Sequence, residues 1–235
     1  MPGGQPRGVI VVCGMVTAAP RPARSRAPAT RLSTPIPVTW IANAERISGA
    51  AEGIDSSHDL VLQVAPAAFA SRQRLRAVLA RAREAVPTLS AIAIRGGGAI
   101  DHRQLLVEEG ISVVLVDSLA ADGRGSRRPA PLGWRCRNSS WGLWEVEMAP
   151  ASRPGPLAIF GLGKQPRVRR GGLSVVATDG HDGQGTVHHR LERLTAWADR
   201  LASRGDAEAV SLSTLVARLT GDDQQALAGS VLRAA

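Results

Sequence analysis

"LSAIAIRGGGAIDHRQLLVEEGISVVLVD", residues 89–117, joins two apolar runs through three glycines and a helix-like stretch. The first run predicts a buried strand over 89–94, and the second predicts another strand over 111–117. Between them, HRQLLVEEG predicts a two-turn helix that Asp101 caps and Gly110 ends. A strand, a helix and a second strand in this order predict a right-handed crossover between parallel strands.

The same alternation extends from this unit in both directions. Apolar runs at 8–15, 38–43 and 59–65 precede it, as does a helix from Ser71 to Val86. The segments that follow it predict four further strands and two helices: LGWRC, LWEVEMA, PLAIFGLG, GLSVVATD, a helix over 188–203 and a helix over 211–219 that Ser211 caps. Most strands are nearly continuous apolar runs, which are typical of parallel sheets covered on both faces.

This pattern predicts an α/β fold, a distorted (β/α) barrel of about seven to eight mostly parallel strands. Residues 1–220 form one predicted domain, and residues 221–235 a peripheral C-terminal tail. The glycines do not form a phosphate loop, because no Lys follows Gly98 and Asp101 stands where a dinucleotide fingerprint needs its third glycine.

Composition argues against several classes of partner. The net charge is +9, and nearly all of the positive charge is Arg, with a single lysine at Lys164. We attribute this to background composition, because no Arg run is interleaved with stacking aromatics, and we expect nucleic acid not to be a partner. Cys13 and Cys136 fit no metal spacing and are expected to be buried free thiols.

No apolar run approaches the ~18 residues of a membrane span, so no membrane partner is expected. GVIVVCGMV near the N-terminus has the length of a signal-peptide core but is rich in Val and Ile. We interpret it as the first buried strand, which favours a cytoplasmic location and leaves secretion as an alternative. The sequence gives no indication of the oligomeric state.

The order of the segments resembles that of the polysaccharide deacetylases. PIPVTWIAN is similar to the family's second strand, and SSHDLVLQV to its third, with His58 and Asp59 at a His-Glu position. Arg95, the glycine loop, a helix ending in GI and a strand ending in Asp117 follow in the family's order. WGLWEVEMAP and residues 172–219 are similar to its later segments. The resemblance implies a β/α barrel that removes acetyl groups from carbohydrate with a divalent metal.

The metal ligands that this resemblance implies are missing from their expected places. Active members bind the metal through an Asp after the first strand and two His after the third. Here the first strand ends CGM, and Gln63 stands where the first His is expected. His58 precedes the third strand, so it is expected at the opposite end of the barrel. We therefore expect no metal cofactor, because a hydrolytic metal needs about three protein ligands.

Polar residues at the predicted carboxyl ends of strands are the remaining candidates, because barrels build sites there. The candidates for catalysis are Arg95, Asp117, Asp179 and His181. Arg95 and Asp117 could equally form a structural ion pair, and Asp179 and His181 a polar turn. The candidates for substrate binding are Asn43, Gln63, Arg95, Glu145 and Glu147. The two glutamates face either the lumen as a carboxylate pair or an outer polar surface.

Three hypotheses about function follow from these residues. The first is a catalytically degenerate deacetylase-like barrel that binds carbohydrate or serves as a scaffold. The second is an active carbohydrate-modifying hydrolase that uses relocated residues such as Asp179 and His181. The third is a basic α/β module that binds an anion or nucleic acid through its Arg-rich segments 20–31 and 124–137.

We predict that the purified protein carries no stoichiometric divalent metal. The reason is the absence of a carboxylate near Gly14 and of a His pair near Gln63. Elemental analysis after dialysis tests this expectation. One equivalent of zinc or nickel per chain would contradict it.

Overall fold

The computed structural model describes residues 7–16, 34–95, 100–117, 134–140, 142–150, 168, 170–178 and 184–231, with only the backbone described at 150, 184–188 and 222–231. The strands are β1 (Gly8–Met15), β2 (Val38–Asn43), β3 (Asp59–Gln63), β4 (Ala91–Ile94), β5 (Val113–Val116), β6 (Cys136–Ser140), β7 (Leu143–Pro150), β8 (Leu173–Ala177) and β9 (Ala207–Ala209). The α-helices are α1 (Ile47–Gly53), α2 (Arg72–Ala85), α3 (Arg103–Glu108), α4 (Gln184–Ser203) and α5 (Leu212–Val231), and a 3-10 helix covers Pro66–Ala70.

Seven parallel strands close into a barrel. They follow one another in the order β1, β2, β3, β4, β5, β7 and β8, and β8 pairs with β1 to complete the ring. Two shorter strands lie beside it: β6 is antiparallel to β7, and β9 is parallel to β1. The prediction of a distorted (β/α) barrel is therefore confirmed.

Alternate residues of each barrel strand pack into two different cores. One set forms the lumen core, which includes Val11, Ile41, Val61, Ala93 and Leu115. The neighbouring residues face outward and pack against helices, with α1, α2 and α3 over β2 to β5 and α4 over β1, β2 and β8. Both faces are apolar, which explains the continuous apolar runs of the sequence, and each fully buried Ile or Leu contributes about 1.5–3 kcal/mol.

Helix α5 closes the N-terminal end of the barrel. Leu212, Leu215 and Leu219 pack into the lumen core. The Asp59 carboxylate at the start of β3 accepts a hydrogen bond from the Ser213 amide at 2.7 Å, and Ser211 Oγ accepts one from the Thr214 amide at 3.2 Å. The predicted Ser211 cap is therefore present, but the helix runs to Val231, past the boundary that the sequence placed at 220.

The ends of several elements differ from the sequence predictions. The prediction that Asp101 caps α3 is wrong: His102 occupies the cap position in a left-handed conformation (φ 58°), and no side chain caps the helix. Gly110 ends α3 as predicted, with φ 69°, and its amide donates to the Val107 carbonyl. The 3-10 helix and β9 were not predicted, because each is too short to show a period. The glycines 96–98 and the segment PLAIFGLG lie outside the described residues.

A buried ionic cluster attaches α3 and β6 to the outer face of β7. Glu145 is only 1% exposed, and its two oxygens accept from Arg103 at 2.8 Å and from Arg137 at 2.6 Å. A carboxylate at this depth is stable only because both of its oxygens are paired. Glu145 therefore fixes three elements against one another.

A second network joins α2 to the end of α3 at the surface. Glu109 lies 2.8 Å from Arg76 and 2.7 Å from Arg83, and Glu108 lies 2.9 Å from Arg72. The hydrogen bonds from Arg76 and Arg83 lower the pKa of Glu109 below its usual value. Several of the arginines of α2 therefore have partners within the protein.

We expect Glu145→Gln to lower the free energy of unfolding by about 3 kcal/mol, because two largely buried guanidinium groups lose their counter-charge. Glu147→Gln is the matched control. It lies on the same face of β7, but its partner Arg135 is 65% exposed, so the loss should stay below about 1 kcal/mol. Urea unfolding of both variants measures the difference. Equal losses would contradict the role assigned to Glu145.

Candidate functional site

Four predicted site residues lie on the lumen side of the barrel at the carboxyl ends of adjacent strands. Asn43, Gln63, Arg95 and Asp117 each follow a lumen-core residue by two positions, and we call these four residues the polar crown. Side chains alternate between the two faces of a strand, so all four belong to the lumen face. Each of them is partly buried.

The strand register places the members of the polar crown next to one another. Asn43 pairs directly with Gln63 between β2 and β3. Ala93 pairs with both Gln63 and Leu115, so Arg95 and Asp117 continue the same register one step beyond the last paired residues of β4 and β5. The sequence predicted each residue separately, and the barrel brings them together.

Arg95 and Asp117 form an ion pair at the rim. Arg95 Nε lies 3.3 Å from Asp117 Oδ1, and the two side chains are 19% and 35% exposed. Both residues make further contacts within the protein. The pair has no net charge but offers guanidinium donors and carboxylate acceptors side by side.

Two amides extend this donor and acceptor set along the rim. Asn43 Oδ1 accepts from the Arg46 amide at 3.1 Å in the turn after β2, which fixes the side chain and leaves its NH₂ group as a donor. Within the described part of the chain, the Gln63 side chain makes no hydrogen bond. Its amide can therefore both donate to and accept from a ligand.

The end of β1 carries sulfur on the lumen side instead of a carboxylate. Cys13 is a buried free thiol, as predicted, and burial raises its pKa to about 12, so it is protonated at neutral pH. Met15, two residues further, packs partly against the lumen core. Cys136, the other buried free thiol, has its pKa raised to about 11 by burial.

Gly14 lies between Cys13 and Met15 and faces outward from the lumen. A Cβ atom at Gly14 would lie 2.9 Å from Leu191 Cδ2 and 3.0 Å from the Trp40 ring, so any side chain here would displace one of these neighbours. A carboxylate at position 14 could not reach the lumen. Only Cys13 and Met15 could present a ligand from this strand.

The residues present do not fit the three-ligand metal centre that the resemblance implies. The lumen positions at the ends of β1 and β3 hold Cys13, Met15 and Gln63 in place of a carboxylate and an imidazole. The 3-10 helix that follows β3, Pro66–Ala70, reads PAAFA and supplies no second His. Among the described residues, no three His, Cys, Asp or Glu side chains form a group that could hold a metal ion.

The interpretation of Glu145 and Glu147 as a carboxylate pair in the lumen is wrong. They alternate with Trp144, Val146 and Met148, which belong to the lumen core, so both glutamates face outward. Glu145 is enclosed by Arg103 and Arg137, and Glu147 binds Arg135 at 2.6 Å. Arginines on α3 and β6 balance these carboxylates, a partnership between distant segments that the strand pattern alone does not reveal.

Asp179 and His181 lie outside the described residues.

Comparisons with known proteins give little beyond this geometry. No protein-family model and no curated protein matches the chain. Among solved structures, the chain is similar to a protein from Bordetella bronchiseptica described as a candidate polysaccharide deacetylase involved in O-antigen biosynthesis, at 14% identity and a TM-score of 0.40 over 78% of this chain and 79% of that one. A similarity at this identity and TM-score does not establish the fold, which rests on the strand pairings. None of the described helices is long and apolar enough to cross a membrane.

We expect Arg95→Ala to lower the free energy of unfolding by about 1–3 kcal/mol, because the partly buried Asp117 carboxylate loses its partner. A double-mutant cycle with Asp117→Ala measures the coupling between the two side chains. If the two losses simply add, the ion pair does not stabilise the fold.

Proposed function

We propose that this chain is a deacetylase-like barrel that binds carbohydrate through the polar crown without a divalent metal. The observation that carries the proposal is the placement of two amides, a guanidinium and a carboxylate on four neighbouring strands at one end of the lumen. Barrels build their sites at the carboxyl ends of their strands.

The chemistry of the polar crown suits hydroxyl groups. A sugar hydroxyl both donates and accepts a hydrogen bond, so a run of hydroxyls needs neighbouring acceptors and donors. Asp117 offers acceptor oxygens beside the donors of Arg95, and Gln63 offers both types from one amide. The four side chains carry no net charge together, which favours a neutral ligand over an anion such as phosphate.

The residues of the polar crown argue against metal-dependent deacetylation. A metal that activates water needs about three nitrogen, thiolate or carboxylate ligands around an open position. The Cys13 thiol at the end of β1 is protonated at neutral pH because burial raises its pKa to about 12. Gln63 and Met15 provide only a neutral amide and a thioether at the two strand ends where the resemblance implies His and Asp. Binding without hydrolysis is the function that these groups support best.

Titration of the purified full chain with the N-acetylglucosamine tetramer, its deacetylated counterpart and maltotetraose tests the proposal. Isothermal calorimetry should detect binding of at least one of these neutral or acetylated sugars, unchanged by EDTA. Gln63→Ala should weaken that binding about fivefold because it removes the hydrogen bonds of the amide to the ligand. Asp117→Asn should weaken it about tenfold because it replaces a charged acceptor oxygen with a donor. Glu147→Gln, on the outer face of the barrel, is the control and should bind like the natural protein.

Two results would overturn the proposal. One is that neither the acetylated tetramer nor maltotetraose binds. The other is binding that EDTA abolishes. Release of acetate from the acetylated tetramer would instead support an active hydrolase with relocated residues, and the Asp179→Asn and His181→Gln variants would then identify the groups responsible.

A further inference from the structure

A groove opens at the end of the barrel opposite the polar crown. This groove, which we call the basal groove, has a volume of about 330 Å³ and lies where β3 and β4 begin, between the end of α1, the α2–β4 loop and the first turn of α5. Small-molecule sites begin at about this size. His58 lines it, which confirms the prediction that this residue lies away from the carboxyl end of β3.

Several backbone donors at the groove already have partners within the protein. The first turn of α5 donates from the Ser213 amide to Asp59 Oδ2 and from the Thr214 amide to Ser211 Oγ. The Val38 amide donates to His58 Nδ1 at 3.1 Å. The positive end of α5 is therefore satisfied inside the fold and is not left to attract an anion.

The carboxylates of Asp55 and Asp59 supply acceptor oxygens at the basal groove. Asp55 Oδ1 accepts from the Ser57 amide at 2.9 Å, and Asp59 uses Oδ2 for the Ser213 amide, so Asp59 Oδ1 accepts no hydrogen bond from a described residue. The hydrogen bonds from Ser57 lower the pKa of Asp55 below its usual value, so this carboxylate is ionised at neutral pH.

The walls of the groove combine this negative charge with apolar surface. Its lining contains Asp55 and Asp59 but neither Lys nor Arg among the described residues, in a chain whose net charge is +9. The half-buried side chains of Ile54, Leu60 and Val216 form its apolar part. A cation carried on an aliphatic stem matches both surfaces, because its stem can cover the apolar side chains while its charged head reaches the carboxylates.

We propose that the basal groove binds a small aliphatic guanidinium or amine compound, with its charged head at Asp55 and Asp59 and its stem against Ile54, Leu60 and Val216. This proposal is independent of carbohydrate binding at the polar crown. The groove and the crown lie at opposite ends of the barrel, so each site can be tested without disturbing the other.

The test compares three probes of equal stem length on the purified full chain: n-butylguanidinium, its neutral isostere n-butylurea, and the anion pentanoate. We expect n-butylguanidinium to bind at least about tenfold more tightly than n-butylurea, and to lose that advantage as ionic strength rises. Chemical-shift changes in a 15N-labelled sample should map to the residues of the basal groove.

The double variant Asp55→Asn, Asp59→Asn tests the carboxylates without removing the hydrogen bonds that they accept. Asn retains an oxygen for the Ser57 and Ser213 amides, and an unchanged melting temperature confirms that the fold survives. We expect it to bind n-butylguanidinium about tenfold more weakly and n-butylurea as before. Glu52→Gln is the matched control, because Glu52 is an exposed carboxylate of α1 that does not line the groove.

Three results would overturn the proposal. They are equal binding of n-butylguanidinium and n-butylurea, tighter binding of pentanoate than of either, and an unchanged affinity for n-butylguanidinium in the double variant. A loss of affinity in Glu52→Gln as large as in the double variant would also overturn it, because it would show a general effect of surface charge.

Discussion

The pairing of β1 with strands on both of its edges is the constraint on which the rest of the structure depends. One edge binds β8 from Val9 to Cys13. The other edge is divided, because β9 pairs with its first three residues and β2 with its last four. This division shifts β2, and with it β3, towards the carboxyl end of the barrel. The shift brings Asn43 and Gln63 to the rim, and it leaves space below β2 for β9 and the start of α5.

The barrel architecture could be predicted from the sequence. The face of each strand that lines the lumen could not. Strand and helix periods identified the barrel because a parallel strand covered on both faces is a continuous apolar run. Because these runs are continuously apolar, they do not show which side chains face the lumen. Only the polar residues at the strand ends stand out from them. Arg95 and Asp117 were recognised for that reason. The sequence left Glu145 with two alternatives, the lumen or an outer polar surface, because its position depends on Arg103 and Arg137, which come from other elements.

The arginines of the chain are used more for internal pairing than the net charge suggests. Arg72, Arg76 and Arg83 on α2 contact the glutamates at the end of α3, and Arg218 on α5 contacts Glu208 at 2.7 Å. Exposed pairs of this kind contribute little stability each, but they neutralise charge that would otherwise attract polyanions. The basal groove differs from these surfaces, because there the carboxylates of Asp55 and Asp59 have no arginine beside them among the lining residues.

The apolar layers of the barrel lie apart from some of the polar groups at its rim. The lumen core, the outer helices and the Glu145 cluster make no hydrogen bond with the Gln63 side chain, so this position can vary without removing a hydrogen bond among the described residues. Arg95 and Asp117 differ, because their ion pair joins the ends of β4 and β5. Gly14 differs in another way, since a Cβ atom there would meet Leu191 and Trp40 and displace one of them. A barrel whose core and rim are separated to this extent can keep its fold while polar side chains at its rim change.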